Sequence, residues 1–232
     1  MANLINNSFR KNTFLLCKKI YENKLAINTF GNASFFDRKE NLIYIKPSGV
    51  SIDTMKIKDI SVVDCKKDKV ISGLKPSVDY SIHKNIYLNF KEYHSVIHTH
   101  STFSTILAQT NISPHCIGTT HADYTLSKIP ITNEIDIKNS YEEALNLSII
   151  KTLKKQHYDF PFIILKDHGN LAFGNSFEQS LDRAIALEFI CKTFYFSQLI
   201  KKKDMIKKNT KTFKKFNFHY DRKNSKNKFY GQ

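Results

Sequence analysis

Glycine is scarce in this chain, seven residues in 232, well under half the usual ~7%. Tryptophan is absent and proline occurs only five times, which excludes collagen-like and proline-rich low-complexity architectures. The four cysteines, Cys17, Cys65, Cys116 and Cys191, stand far apart with no C-x-x-C pair. That spacing suggests neither a disulfide framework nor a thiolate zinc knuckle, and it fits a reducing cytoplasm. Nowhere do the ~18 apolar residues of a membrane span run together. Polar Asn6, Asn7, Arg10, Lys11 and Asn12 interrupt any signal-peptide core. The reading is a soluble, cytoplasmic protein with no membrane partner.

What is present suffices for a core. At 41% hydrophobic and 12% aromatic, the chain supports one domain over residues 1–232. Its formal charge is +15, but twelve basic and two acidic residues fall between Lys201 and Lys228, so most of the excess belongs to a basic tail over 200–232. A tail with Phe213, Phe216 and Phe218 among its lysines admits a nucleic-acid reading. Enrichment in Lys, Asn, Ile and Phe is the blander cause, a coding bias toward A and T. In a glycine-poor chain the surviving glycines mark positions needing φ > 0 or close backbone approach.

Residues 3–26 carry apolar positions at helical period, from Leu4 to Leu25. Short β-prone runs follow at Gly31–Ser34, Leu42–Lys46 and Ile60–Val63, separated by turn residues. A helix is expected over Tyr80–Glu92, a strand over His94–His100, a short helix over Phe103–Gln109, and strands at Phe162–Leu165 and Leu171–Phe173. Ser176 with Gln179 forms a capping box for a long helix reaching about Leu199. Helices and strands mix without strict βαβ alternation, which favours an α/β fold with a mostly antiparallel mixed sheet between helical layers.

His98 and His100 lie two apart on a predicted strand, so their imidazoles point to one face. His168, at a strand end where Gly169 permits a tight turn, is the third contributor. Three neutral imidazoles suit Zn²⁺, or less selectively Mn²⁺, Co²⁺ or Fe²⁺. An isolated H-x-H is more often a pair of surface or hydrogen-bonded histidines. Asp79 opens a helix, where a carboxylate is ordinarily a cap. Gly31-Asn32-Ala33-Ser34 and Lys46-Pro47-Ser48-Gly49 offer backbone N–H groups, hydroxyls and an ammonium, the equipment for holding a phosphate, though either loop alone is a turn.

The ordered combination is more specific: Gly31-Asn32-x-Ser34, Lys46-Pro47-Ser48-Gly49, Lys75-Pro76-Ser77-x-Asp79, His98-Thr99-His100, Gly118-Thr119-Thr120-His121-Ala122-Asp123-Tyr124 and His168-Gly169. It resembles the class II aldolase and L-ribulose-5-phosphate 4-epimerase family, and the terminal Phe229-Tyr230-Gly231-Gln232, with His219 and Arg222 upstream, resembles the epimerase branch. The resemblance implies a three-layer αβα fold and Zn²⁺ held by His98, His100 and His168, with Asp79 at or beside the metal. It implies Asp123 and Tyr230 as the acid/base pair. Gly31, Asn32, Lys46, Ser48, Gly49, Ser77, Val78 and Thr119 match its substrate pocket, and Val78 stands where these epimerases usually carry a second serine.

His219 and Arg222 match tail residues that complete a site lying between subunits of a homotetramer. The implied reaction epimerises C4 of L-ribulose 5-phosphate to D-xylulose 5-phosphate by retro-aldol cleavage and re-addition, as in arabinose or ascorbate breakdown. Under that reading the basic tail closes the active site, the partner is a sugar phosphate, and there is no nucleic-acid partner. The alternative is a sugar-phosphate aldolase of the L-fuculose-1-phosphate type, in which a Glu is expected at the position of Asp79.

Overall fold

The computed structural model describes residues 5–135, 140–155, 160–200 and 210–224. Seven strands make one sheet: β1 (Asn32–Asp37), β2 (Leu42–Ile45), β3 (Ser61–Asp64), β4 (Lys69–Ser72), β5 (Ser95–Thr99), β6 (Phe162–Leu165) and β7 (Gly169–Gly174). Their order is β4-β3-β2-β1-β5-β7-β6, and each neighbouring pair is antiparallel. Among the described residues the parallel contribution is an isolated bridge between Ile131 and Ile164 at the β6 edge. The mostly antiparallel mixed sheet expected from the sequence is what forms.

The helices are α1 (Asn7–Glu22), α2 (Tyr80–Asn89), α3 (Thr102–Gln109), α4 (Thr119–Ala122), α5 (Tyr141–Lys154), α6 (Phe177–Ile200) and α7 (Thr210–Asn224). Strand alternation sorts them into layers, because successive side chains point to opposite faces. Tyr44, Ile97, Ile164 and Ala172 face a core shared with α1, α3 and α6. Their neighbours Ile43, Val96, Ile163 and Leu171 face a second core shared with α2 and α5. All eight are essentially inaccessible, and burying each large aliphatic side chain contributes on the order of 1.5–3 kcal/mol.

Local chemistry sets the element ends. α1 begins at Asn7, where Asn6 Oδ1 accepts from the backbone N–H of Ser8 and Phe9 at 2.9 and 3.3 Å. It ends at Glu22 because Lys24 is left-handed, with φ 58°. Ser176 Oγ accepts from Gln179 N at 3.2 Å, so the expected N-cap of α6 forms, while Gln179 Oε1 accepts from Asn175 N, one residue before the N–H that a capping box would use. Midway along α6, the Glu188 carboxylate accepts from Phe103 N and Ser104 N, capping α3 from a neighbouring helix.

Two features differ from the sequence-based expectation. β4, α4, α5 and α7 are additional elements; β4 is a largely exposed edge strand without alternating burial. The turn before β7 takes its left-handed residue from Asp167, φ 58°, not from Gly169. Gly169 is needed for closeness: a Cβ there would collide with the Thr99 carbonyl oxygen and stand 2.9 Å from the His100 ring.

Two buried histidines carry a pH consequence. His83 is fully buried on α2, its Nδ1 2.6 Å from Ser34 Oγ, and burial pushes its pKa down to about 3. His121 donates Nε2–H to the Ser127 carbonyl at 3.0 Å, and burial pushes it to about 4. The unfolded chain protonates both near the ordinary value of about 6.5. It therefore binds more protons than the folded chain between about 4 and 6.5, and stability is lost as pH falls through that window. Thermal midpoints from pH 7.5 to 4.5 are expected to decline below about pH 6.5; a flat series contradicts this. Gly169→Ala is expected to lose roughly 1–3 kcal/mol of unfolding free energy by overpacking, read from the urea midpoint.

Candidate active site

The antiparallel register sets His98 of β5 opposite Asn32 of β1 and Leu171 of β7. His98 thus projects from the face that α2 and α5 cover, at the end of the sheet where β5 stops and β7 starts. His100, two residues on, shares that side, and His168 immediately precedes β7. The three imidazoles surround a common point: ring centroids lie 4.8–4.9 Å apart with planes inclined 75–86°. Their candidate ligand nitrogens all lie within 4.8 Å of one another.

Hydrogen bonds select which nitrogens face inward. His98 Nδ1 donates to the Asn170 carbonyl at 2.9 Å, leaving Nε2 with its lone pair toward the centre. His168 Nδ1 lies 2.7 Å from the Tyr141 hydroxyl. His98 Nε2 and His100 Nε2 face each other at 3.0 Å, a contact that is repulsive unless a proton or cation is shared. Burial first, then the neighbouring imidazoles, push His100 and His168 down to about 4, so both are neutral near pH 7. Convergent, nitrogen-only donors are what a borderline divalent ion takes, and this group can hold a metal.

Asp79 occupies the N-cap position of α2 but makes no capping bond with its side chain. Its Oδ2 accepts instead from Asn32 Nδ2 at 2.6 Å and lies 3.4 Å from Ser77 Oγ. Burial would raise this carboxyl; the His98, His83 and His168 imidazoles and the Asn32 bond outweigh it and hold it below its ordinary value. Asp79 therefore stands in the site as an anion, outside the triangle of imidazoles.

The opposite wall comes from two loops that pair with each other. Pro47 bridges Pro76, Ser48 N donates to Lys75 O at 2.9 Å, and Ser77 N donates to Lys46 O at 3.0 Å. Lys46 is 2% exposed, and its ammonium donates to the carbonyls of Thr29 and Pro47 at 3.2 and 3.4 Å. Burial pushes its pKa down, and among the described residues no carboxylate forms an ion pair with it. The imidazoles and these loops enclose one cleft of about 250 Å³.

That cleft gathers Gly31, Asn32, Lys46, Ser48, Gly49, Ser77, Val78, Asp79, His98, His100 and His168 from the sequence-based set. Thr119, Asp123 and His219 do not line it. Thr119 begins α4, and Asp123 follows that helix, with His219 Nδ1 of α7 3.4 Å from Asp123 Oδ1 and Asn224 Nδ2 donating to the Asp123 carbonyl at 3.0 Å. Arg222 belongs to α7, and Tyr230 lies outside the described residues. Phe30, Tyr141 and Glu142 also line the cleft, and sequence reasoning missed them. Phe30 stacks on His100 at 5.8 Å. Tyr141 and Glu142 open α5, whose start was readable: Ser140 and Glu143 have the capping-box spacing, and Ser140 Oγ accepts from Glu143 N at 3.1 Å.

Comparison with known proteins agrees with this architecture. The probable L-ribulose-5-phosphate 4-epimerase UlaF of Mycoplasma pneumoniae is 36% identical over 216 residues, 90% of this chain and 88% of that protein. L-ribulose-5-phosphate 4-epimerase UlaF of Salmonella paratyphi C is 35% identical over 212 residues, covering 90% and 91%. Among solved structures, an L-fuculose 1-phosphate aldolase superposes with a TM-score of 0.81 at 20% identity, covering 96% of this chain and 99% of the other. YgbL of Klebsiella pneumoniae, a putative aldolase/epimerase/decarboxylase, superposes at 0.71 with 18% identity, covering 91% and 99%. The class II aldolase and adducin N-terminal domain matches residues 12–195, and with relatives at this identity over nine-tenths of its length the chain belongs to the class II aldolase family.

Proposed function

We propose that this chain is a zinc-dependent L-ribulose-5-phosphate 4-epimerase that forms D-xylulose 5-phosphate by retro-aldol cleavage and re-addition. The observation that carries the reading is the cleft itself, with three convergent imidazoles on one wall and the buried Lys46 ammonium between two paired loops on the other. His98, His100 and His168 would hold Zn²⁺, with the Asp79 carboxylate beside it. When bound, the ion supplies Lewis acidity against the negative charge that develops on the ketose oxygens.

The chain's own groups do the rest. Lys46, Ser48, Gly49 and Ser77 bind the phosphate through an ammonium, hydroxyls and backbone N–H groups. Gly31 and Asn32 position the sugar, and Val78, 66% exposed, offers that pocket an apolar surface. C4 is β to the C2 carbonyl, so its hydrogen is not acidic and direct deprotonation is poor. Breaking C3–C4 avoids this: the C4 hydroxyl gives its proton to a base as the bond electrons pass to C3, releasing glycolaldehyde phosphate. Held by its phosphate, that aldehyde turns over and is attacked by C3 on its opposite face, and the new C4 alkoxide takes a proton from an acid on that side.

We assign these proton transfers to Asp123 and Tyr230. Asp123 does not line the cleft of its own chain, which supports a site shared between copies; in the homotetramer we propose, one copy delivers Asp123, Thr119, His219, Arg222 and Tyr230 to a neighbour's cleft. In that arrangement residues 1–232 act as a single domain whose 200–232 tail closes the site. Four free thiols, three of them buried, agree with a cytoplasmic enzyme. Fold similarity to an L-fuculose 1-phosphate aldolase keeps an aldolase as the second reading, and the two differ in whether the aldehyde escapes.

Purified protein given L-ribulose 5-phosphate is expected to yield D-xylulose 5-phosphate without accumulating glycolaldehyde phosphate or dihydroxyacetone. A chelator should abolish turnover, and Zn²⁺ should restore it. Accumulation of free aldehyde identifies the aldolase instead. His98→Ala and Asp123→Asn are each expected to lower kcat/KM by roughly 10²–10³-fold, the scale of losing a charge-stabilising group. Subunit exchange between the two inactive variants should recover part of the activity, because some clefts then combine an intact triad with an intact Asp123. No recovery after verified exchange rejects the shared site.

A further inference from the structure

The three imidazoles are not held alike. His98 sits within the β5–β7 ladder, and its outer nitrogen donates to the Asn170 main-chain carbonyl. His100 is backed by the ring of Phe30. His168 stands between ladders, in the turn after left-handed Asp167 and before β7. Among the described residues, its outer nitrogen has one hydrogen-bond partner, the Tyr141 hydroxyl at 2.7 Å. A side chain leaving a turn keeps more rotational freedom than one inside a ladder, so its direction depends on that partner.

We propose that Tyr141 is the positioning residue of the third imidazole: its phenol oxygen accepts the Nδ1–H of His168 and turns Nε2 toward the ion site. This rests on the reading of His98, His100 and His168 as metal ligands. Tyr141 is well placed to do so. Its ring lies 5.9 Å from that of His168, and Ser140 caps the helix it opens. That helix is braced against α2 by the bond from Asn146 Nδ2 to Ser81 Oγ at 3.2 Å. The phenol is thus fixed by a cap and a helix packing that do not themselves involve the metal ligands. Outer partners of this kind hold a ligand's tautomer and ring orientation, and losing one typically weakens metal binding about 10–100-fold.

The test is metal binding by the full chain, independent of turnover. Tyr141→Phe keeps the ring and removes only the hydroxyl, so metal-free wild type and variant should melt alike. In competition with a chromophoric chelator, the variant is expected to bind Zn²⁺ about 10–100-fold more weakly, and its Co²⁺ form should show an altered visible spectrum. In Zn²⁺-loaded wild type, nitrogen NMR should find the His168 proton on Nδ1. Equal Zn²⁺ affinity and an unchanged Co²⁺ spectrum in the variant, or a proton on Nε2 in the wild type, overturn the role of Tyr141 while leaving the metal centre standing. Wild type that binds neither ion overturns the metal reading, and this inference falls with it.

Discussion

The antiparallel pairing of β5 with β7 is the constraint on which the site depends. It sets His98 against Leu171 and Thr99 against Asn170, so one ladder both supports the first imidazole and presents the carbonyl that chooses its tautomer. The same pairing starts β7 directly after His168, and Gly169 lets the two segments approach until a single methyl group would separate them. On the far side of the sheet, Asn170 Nδ2 donates to Ser104 Oγ at 2.6 Å and to Thr99 Oγ1 at 2.9 Å. The loop leaving β5 is thereby tied to β7, which begins directly after His168, and Glu188 fixes the start of the following helix. The arrangement of the three imidazoles therefore begins with the backbone ladder at His98, and the side chains of Phe30 and Tyr141 contact the other two.

A second layer lies beneath the site, on the face under α2. Ser34 Oγ is shared between His83 Nδ1 and Tyr87 OH, each at 2.6 Å, and Asn32, two residues earlier on β1, donates to Asp79. Alternate residues of one strand thus reach one helix, Asn32 at its start and Ser34 further along. Because such buried polar groups lose heavily when a partner is removed, this chain of contacts favours one placement of α2 over others. The placement matters because Asp79, at the head of α2, must face the imidazoles and not its own helix.

Much of this was legible in the sequence. The spacing of His98 and His100 on a strand, the position of His168 at a strand end, and the two glycine-containing loops all led to one cleft, because strand period and turn chemistry are local rules. The less legible parts depend on three-dimensional company. Asp79 reads as a cap from its position, yet Asn32, 47 residues earlier, takes its carboxylate. Gly169 reads as a turn residue, yet its role is to leave room for Thr99 and His100. α5 carried its signal in Ser140 and Glu143, and overlooking that box also hid Tyr141. α7, with its lysines, has weak apolar content and packs against the short α4, a contact between distant segments that no local pattern predicts.

The buried ammonium of Lys46 sets the ionic character of the cleft. An ordinary surface lysine is wrapped in water, and dissolved salt mutes it within a Debye length of about 8 Å at physiological ionic strength. Lys46 has already lost that hydration on folding and is braced by two carbonyl oxygens. A charge so desolvated is screened less by dissolved salt than the exposed lysines elsewhere on this cationic molecule, so the positive potential of the cleft should persist at ionic strengths that mute theirs.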